Sequence, residues 1–281
     1  MTEAFADVNG ITVCYGIQGE GFPLILLHGF GSKKESFMAQ IPDLSRHFQV
    51  ITVDMRGAGK SSRPNYHYSM DMFADDVKGL MDYLKIDTAH LVGFSFGGMI
   101  AQKFVLKYPL HVAKLILINT SGLLKIPKEY DPEPYIQFRI KSLELIKHDP
   151  VKAFWQSTQL GFPQEFREEM LANQKKKFYG LWSVEDLIDY YTTDPPTPQD
   201  IRNIAYSFKT LNFSNRLHEI KNETLLLTAS HDVLVPKERM FEMHKLLTNS
   251  MVKVIEKAGH ESPKSNAPEV NQAIIEFLGR N

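Results

Sequence analysis

The sequence predicts an α/β fold: a mostly parallel sheet of eight strands flanked by helices, with a helical segment inserted late in the chain. Three observations carry that expectation. Short apolar, β-branched runs alternate with helical periodicity up to Ile118, and the alternation resumes at Thr224. From about Ser121 to Asn212 strand patterning vanishes while helix-start signals accumulate. At the centre, Leu91 to Ile100 runs as an apolar stretch through a serine flanked by glycines and emerges as a helix.

The elements follow in order. Asn9-Gly10 lies between Phe5–Val8 and Ile11–Tyr15, a strong hairpin signal that predicts two antiparallel strands at the start. Pro23 to Leu27 is continuously apolar, as for a strand covered on both faces, and ends in His28-Gly29-Phe30-Gly31-Ser32. A helix is expected from about Lys34 to His47, then the strand Val50–Val53. The segment from Asp54 to Ser61 imitates a phosphate-binding loop, but Asp54 stands where the first glycine is needed and Pro64 delays any helix. It reads as a structural turn.

Met70 to Leu84 carries Phe73, Val77, Leu80 and Leu84 at helical spacing. His90-Leu91-Val92 is a short buried strand, and Ile100, Phe104 and Tyr108 mark one face of the next helix. So abrupt a passage from strand to helix forces the turning residue into strained geometry and leaves no room for side chains two positions either side. Gly93 and Gly97 meet that need, and Ser95 at the apex is presented at a helix N-terminus, where the helix dipole favours developing negative charge.

Leu115–Ile118 is the next strand. Within the inserted segment, Asp149-Pro150, Ser183 and Thr197-Pro198 are helix starts. The segment is rich in aromatics, among them Phe154, Trp155, Phe162, Phe178, Trp182, Tyr190 and Tyr191. Most are expected to form a small local core, a minority to line an apolar substrate pocket. Lys175-Lys176-Lys177 is expected to be a solvated helix face. Thr224–Ala229, a helix from about Lys237 to Leu247, Met251–Ile255 and a terminal helix through Val270, Ile274 and Phe277 complete the chain.

Composition narrows the partners. The 281 residues include 32 basic and 33 acidic side chains, a formal net charge of −1, which offers no electrostatic case for nucleic acid or an anionic membrane. A small molecule without strong charge is the expected partner. Cys14 is the single cysteine, so no intrachain disulfide and no cysteine metal cluster can form. The N-terminal stretch carries Glu3 and Asp7 and has neither the basic start nor the apolar run of a signal peptide; a cytoplasmic location is expected.

A serine hydroxyl needs a base to act as a nucleophile. His260, in Ala258-Gly259-His260-Glu261, follows a predicted parallel strand at the sheet edge where Ser95 emerges. An acid must orient that base, and Asp232 lies just past the preceding strand; Asn119-Thr120-Ser121 offers no carboxylate, and Asp54 is expected to anchor its own turn. His231 reads as structural. The backbone amides of Phe30 and Phe96 are candidate oxyanion donors.

The order Ser95, Asp232, His260, with His28-Gly29 and the segment Asp54 to Ser61, resembles the α/β-hydrolase superfamily over the whole chain outside the insertion. The insertion is similar to the cap of the branch that holds carboxylesterases, 3-oxoadipate enol-lactonases, cofactor-free haloperoxidase-like esterases and carbon–carbon bond hydrolases. That branch often has methionine after the nucleophile, where this chain has Phe96. The resemblance implies a hydrolase core over 1–121 and 213–281 and a helical cap over 122–212. It implies a serine hydrolase of small to medium apolar esters or lactones acting through an acyl-enzyme on Ser95, with no metal or organic cofactor, as a monomer or homodimer. Two other readings stand beside it: a carbon–carbon bond hydrolase with the same residues, and a slow-turnover ligand receptor on the same fold.

Overall fold

The computed structural model describes residues 1–123, 127, 129–211 and 213–280; the expected segment edge at 212 lies outside the described residues. Eight strands form one sheet: β1 (Thr2–Val8), β2 (Ile11–Gln18), β3 (Pro23–Leu27), β4 (Gln49–Val53), β5 (Ala89–Phe94), β6 (Val112–Ile118), β7 (Glu223–Ala229) and β8 (Ser250–Ile255). Their spatial order is β1-β2-β4-β3-β5-β6-β7-β8. Only the pairings of β2 with β1 and with β4 are antiparallel. The opening hairpin turns at Asn9 and Gly10, both at positive φ (50° and 74°), the conformation that Asn-Gly favours.

Period-two alternation sorts the strand residues between two cores. Ile25, Leu27, Leu91, Leu115 and Leu117 face helices α2 (Met70–Tyr83), α3 (Phe96–Lys107) and α9 (Lys237–Leu246). Leu24, Leu26, Val92, Ile116 and Ile118 face α1 (Ile41–Leu44) and α11 (Ala267–Leu278). The central strands therefore have no polar face, which is why they read as continuous apolar runs.

The helix expected from Lys34 to His47 is instead one 3-10 turn at Lys34–Phe37 and the single turn α1. Pro42, in the first turn of α1, lacks the amide a longer helix would use. Lys34 is pulled inward instead: its amide and its ammonium both donate to Asp54, at 2.7 and 3.1 Å. The Lys60 amide donates to the same carboxylate at 3.1 Å, and a Cβ on Gly59 would stand 2.3 Å from it. The turn after β4 thus wraps a carboxylate where a phosphate loop would wrap phosphate, and Asp54 anchors its own turn as expected.

Among the described residues, five α-helices lie between β6 and β7: α4 (Glu133–His148), α5 (Pro150–Gly161), α6 (Gln164–Ala172), α7 (Val184–Thr192) and α8 (Pro198–Tyr206). Asp149 caps α5 by accepting the Lys152 amide at 3.0 Å, and Ser183 and Thr197 form reciprocal capping boxes with Asp186 and Asp200. Helices α4 and α6 were not among the expected starts: α4 follows Asp131-Pro132, with the Glu133 amide donating to Asp131 at 3.0 Å, and α6 follows Pro163 with Glu165 in its first turn. Lys175–Lys177 is exposed but lies in the turn after α6, not on a helix. Phe154, Phe162, Phe178 and Trp182 do build a local core, with the Phe178 and Trp182 rings stacked at 4.7 Å. Among the described residues, no helix is long and apolar enough to cross a membrane.

Helix α10 (Ser262–Ser265) and α11 close the chain after β8.

Candidate active site

Ser95 joins β5 to α3 with φ 53° and ψ −118°, a conformation that costs a non-glycine residue about 1–3 kcal/mol. The surroundings enforce it. A Cβ on Gly93 would come within 2.5 Å of the Gly97 carbonyl, and one on Gly97 within 2.1 Å of the Leu27 carbonyl. Strand and helix therefore approach at a distance only glycine permits, and the hydroxyl is aimed out of the sheet. The Ser95 backbone is tied on both sides: its amide donates to Ile118 at 2.9 Å and its carbonyl accepts the Thr120 hydroxyl at 2.6 Å.

His260 reaches that hydroxyl. Its Nε2 lies 3.0 Å from Ser95 Oγ, and its Nδ1 lies 2.8 Å from Asp232 Oδ2. The second oxygen of Asp232 accepts the amides of Leu234 and Val235, both at 2.8 Å, so a carboxylate buried to 6% exposure has partners on both oxygens. The Asp232 contact favours the tautomer with its proton on Nδ1, which leaves the Nε2 lone pair directed at Ser95. His231 turns outward, exposed, with Nδ1 on the Ser230 hydroxyl at 2.8 Å.

The segment without a carboxylate, Asn119-Thr120, has a different part. Asn119 Nδ2 donates to the His260 carbonyl at 2.7 Å and to Ser262 Oγ at 2.8 Å. With Thr120 on Ser95, two adjacent residues brace the serine turn and the histidine loop together. Sequence reading passed over Asn119 because a carboxylate was sought there; its positive φ of 45° leaves no trace in composition.

Among the described residues, neither the Phe30 nor the Phe96 amide has a hydrogen-bond partner. Phe96 opens α3, where helix amides are unpaired by construction. The loop carrying Phe30 is fixed by His28, whose Nε2 accepts the Met55 amide at 3.1 Å while Nδ1 meets the Gly29 carbonyl at 2.8 Å. Burial pushes the His28 imidazole below its ordinary pKa, and the two contacts suit the neutral ring with its proton on Nδ1. The Phe30 and Phe96 rings pack edge to face at 5.7 Å.

Above these groups lies a cavity of about 730 Å³, floored by Ser95, His260, Phe30 and Phe96 and roofed by α4, α5 and α7. The roof is seated on the histidine loop: the Glu261 amide donates to the Gly161 carbonyl at 2.8 Å, and a Cβ on Gly259 would come within 2.6 Å of that oxygen. Burial favours the neutral Glu261 carboxyl, but the Lys264 ammonium and then the His260 imidazole bring it below the usual range. Tyr190 of α7 bonds Ser32, next to the Phe30 loop, and its ring lies under Lys33 (5.3 Å) and Lys264 (5.7 Å). Burial raises its phenol pKa well above the ordinary value. Sequence reading named Tyr190 only as one aromatic of many, and it did not single out Gly161 or Arg139. Among the described residues, no group of three or more His, Cys, Asp or Glu side chains is placed to hold a metal ion.

A mostly parallel sheet with a serine at a strand-to-helix elbow, beneath a helical roof, defines a hydrolase of α/β architecture. The chain belongs to the alpha/beta hydrolase fold family, whose model matches residues 23–267. It is 26% identical to the 2-hydroxy-6-oxo-2,4-heptadienoate hydrolase of Pseudomonas putida, over 92% of either chain. It is 28% identical to the 2-hydroxy-6-oxo-6-phenylhexa-2,4-dienoate hydrolase of Comamonas testosteroni, over 97% of this chain and 93% of that one. A thermophilic esterase from Thermogutta terrifontis superposes with a TM-score of 0.80 at 26% identity, covering 99% of this chain and 98% of the other. An enol-lactonase from Burkholderia xenovorans shares the fold, with a TM-score of 0.80 at 21% identity over 99% of this chain and 100% of that one.

Proposed function

We propose that this hydrolase cleaves carboxylic esters or lactones of small to medium size through an acyl-enzyme on Ser95. The observation that carries the reading is the unbroken chain of contacts from Asp232 through His260 to Ser95, 2.8 and 3.0 Å long, at the floor of a roofed cavity. His260 takes the Ser95 proton as the hydroxyl attacks the carbonyl, then returns it to the leaving oxygen; Asp232 holds the imidazolium. The free amides of Phe30 and Phe96 receive the charge that develops on the carbonyl oxygen, each worth about 2.7–4 kcal/mol by the cost of removing such donors in other enzymes. Water then attacks the acyl-enzyme with His260 again as base. The helices α4 to α8 act as a cap that gives the cavity its apolar walls. Likeness to a solved esterase at 26% identity supports the ester reading.

A second reading has its own support. The Pseudomonas and Comamonas relatives are named as hydrolases of 2-hydroxy-6-oxo dienoates, so cleavage of a carbon–carbon bond next to a ketone by the same residues is the alternative. Fluorophosphonate labelling, together with turnover of aryl esters of graded acyl length and of a vinylogous 1,5-diketone, separates the two. Labelling at Ser95 and fast ester turnover support the first. Slow ester turnover with efficient diketone cleavage supports the second, and failure to label Ser95 contradicts both.

A further inference from the structure

The turn that carries Phe30 is held by two different parts of the molecule. Gly29 to Ser32 is a four-residue turn, closed by the Ser32 amide on the Gly29 carbonyl at 3.3 Å, with Gly31 in its third place at φ 64°. Its near end belongs to the sheet. His28 meets the Gly29 carbonyl at 2.8 Å and the Met55 amide at 3.1 Å, and a Cβ on Gly29 would stand 3.6 Å from the Ser95 Cβ. Its far end belongs to the helical roof. A Cβ on Gly31 would stand 3.1 Å from Arg139 of α4 and 3.4 Å from Ile201 of α8. The Ser32 hydroxyl bonds the Tyr190 hydroxyl of α7, and Lys33 donates to the Thr193 carbonyl at 2.5 Å. Three consecutive residues thus meet the roof, and Phe30 stands at the seam.

A turn of this kind makes no use of the amide of its second residue, so the direction of that amide follows the tilt of the whole loop. Phe30 is that second residue, and its amide has no partner among the described residues. A hydrogen bond weakens steeply as it bends, and a shift of about 1 Å in a reacting group can cost about a hundredfold in rate. We propose that Tyr190 is a positioning residue for the oxyanion donor: through the Ser32 hydroxyl it sets the direction of the Phe30 amide, so that the roof must be seated on the turn for the carbonyl to be polarised. The inference rests on the reading of the Phe30 amide as an oxyanion donor. Tyr190 is the one hydrogen-bond partner of the Ser32 side chain among the described residues. Its ring is itself held by the Lys33 and Lys264 ammonium groups, 5.3 and 5.7 Å from its centroid, so it ties the turn to the helix that follows His260. The second donor, the Phe96 amide, is fixed by the elbow between β5 and α3. Loss of the Tyr190 contact should therefore disable one donor of two.

The test compares the native protein, Tyr190→Phe, Ser32→Ala and the double variant on 4-nitrophenyl hexanoate and on its thionoester, in which C=S replaces C=O and the sulfur accepts hydrogen bonds weakly. Each single variant should lose about ten- to a hundredfold in kcat with KM within about threefold. The double variant should lose no more than either, since both exchanges remove one contact. The ester-to-thionoester ratio of kcat should fall by a similar factor, a change that a roof of altered shape does not produce. Calorimetric titration with a hexyl trifluoromethyl ketone reads the same amide without turnover. Ser95 Oγ bonds to the ketone carbon, its proton passes to His260 Nε2, and the carbonyl π pair moves to the oxygen that the two amides receive. The Kd should rise at least about tenfold in Tyr190→Phe. Native kcat in Tyr190→Phe, or a lower kcat at an unchanged ester-to-thionoester ratio, overturns the inference and leaves the ester reading standing. Ketone binding that weakens in Tyr190→Phe, without ester turnover, sustains the inference and removes the ester reading.

Discussion

His260 Nε2 stands 3.0 Å from Ser95 Oγ although 165 positions separate the two residues in the chain. Parallel strands produce that meeting. Ser95 follows β5, Asp232 follows β7 and His260 follows β8, so each leaves the sheet at the same edge, and lateral spacing alone brings them into line. Asp232→Asn keeps the shape of the acid but removes the charge that favours the productive His260 tautomer. Turnover should fall by about four orders of magnitude, with little change in KM, by analogy with the same exchange in other serine hydrolases. Steady-state kinetics on an aryl ester checks it.

Strain at the elbow gives a separable outcome. Ser95→Gly places a residue without a Cβ at φ 53°, relieving about 1–3 kcal/mol of backbone strain, from which the greater freedom of glycine in the unfolded chain subtracts up to about 1 kcal/mol. The variant should lose turnover and yet be as stable as the native protein or more so. Thermal unfolding read beside activity tests it; a marked fall in Tm contradicts the account of the turn.

Asn119 braces the His260 loop through its carbonyl, without touching the imidazole. Asn119→Ala should lower kcat roughly ten- to a hundredfold, as small misplacements of reacting groups do, while leaving KM nearly unchanged. A variant with native kcat would show that the loop is held by other contacts.

His90, at the opposite end of β5 from the site, packs between Phe22 (4.6 Å) and Phe48 (6.0 Å) with its Nδ1 buried and unpartnered. Burial first, then the Lys114 charge, push its pKa down to about 4 from an ordinary 6.5. Between those values the unfolded chain binds a proton that the folded one refuses, so stability is complete above about pH 6.5 and declines as pH falls toward 4, by up to about 3 kcal/mol. His90→Phe should flatten that part of the pH–stability curve. Urea unfolding at a series of pH values, native against variant, measures the difference.

Arg56 and Asp76 form a buried pair with two contacts, at 2.5 and 2.6 Å. Asp76→Ala strands a guanidinium with 3% exposure and should cost about 3–5 kcal/mol of stability by chemical denaturation. A loss below about 1 kcal/mol would mean that water replaces the carboxylate.

What the residues foretold and what they did not divide along physical lines. Strands buried on both faces are local apolar runs, so β3, β5, β6 and β7 could be read directly. The glycines around Ser95 announced a close approach of strand and helix, and the loops after β7 and β8 placed Asp232 and His260 beside it. The break near Pro42 escaped notice because the Lys34 ammonium and amide are drawn to Asp54, twenty residues away, a tertiary pull that local periodicity does not register. Arg139 sits on α4, whose start was not among those expected, and it reaches the cavity only through the packing of α4 over Phe30. The seating of Gly161 on the histidine loop is likewise a contact between distant segments, written in no motif.

The most direct test of the central claim is the intact mass of the protein, quenched within milliseconds of mixing with an excess of an aryl ester, followed by peptide mapping. The account predicts a burst of one acyl group per chain on Ser95, lost on standing, and absent from Ser95→Ala. Turnover that proceeds undiminished in Ser95→Ala, or an acyl group mapped to any other side chain, would contradict it.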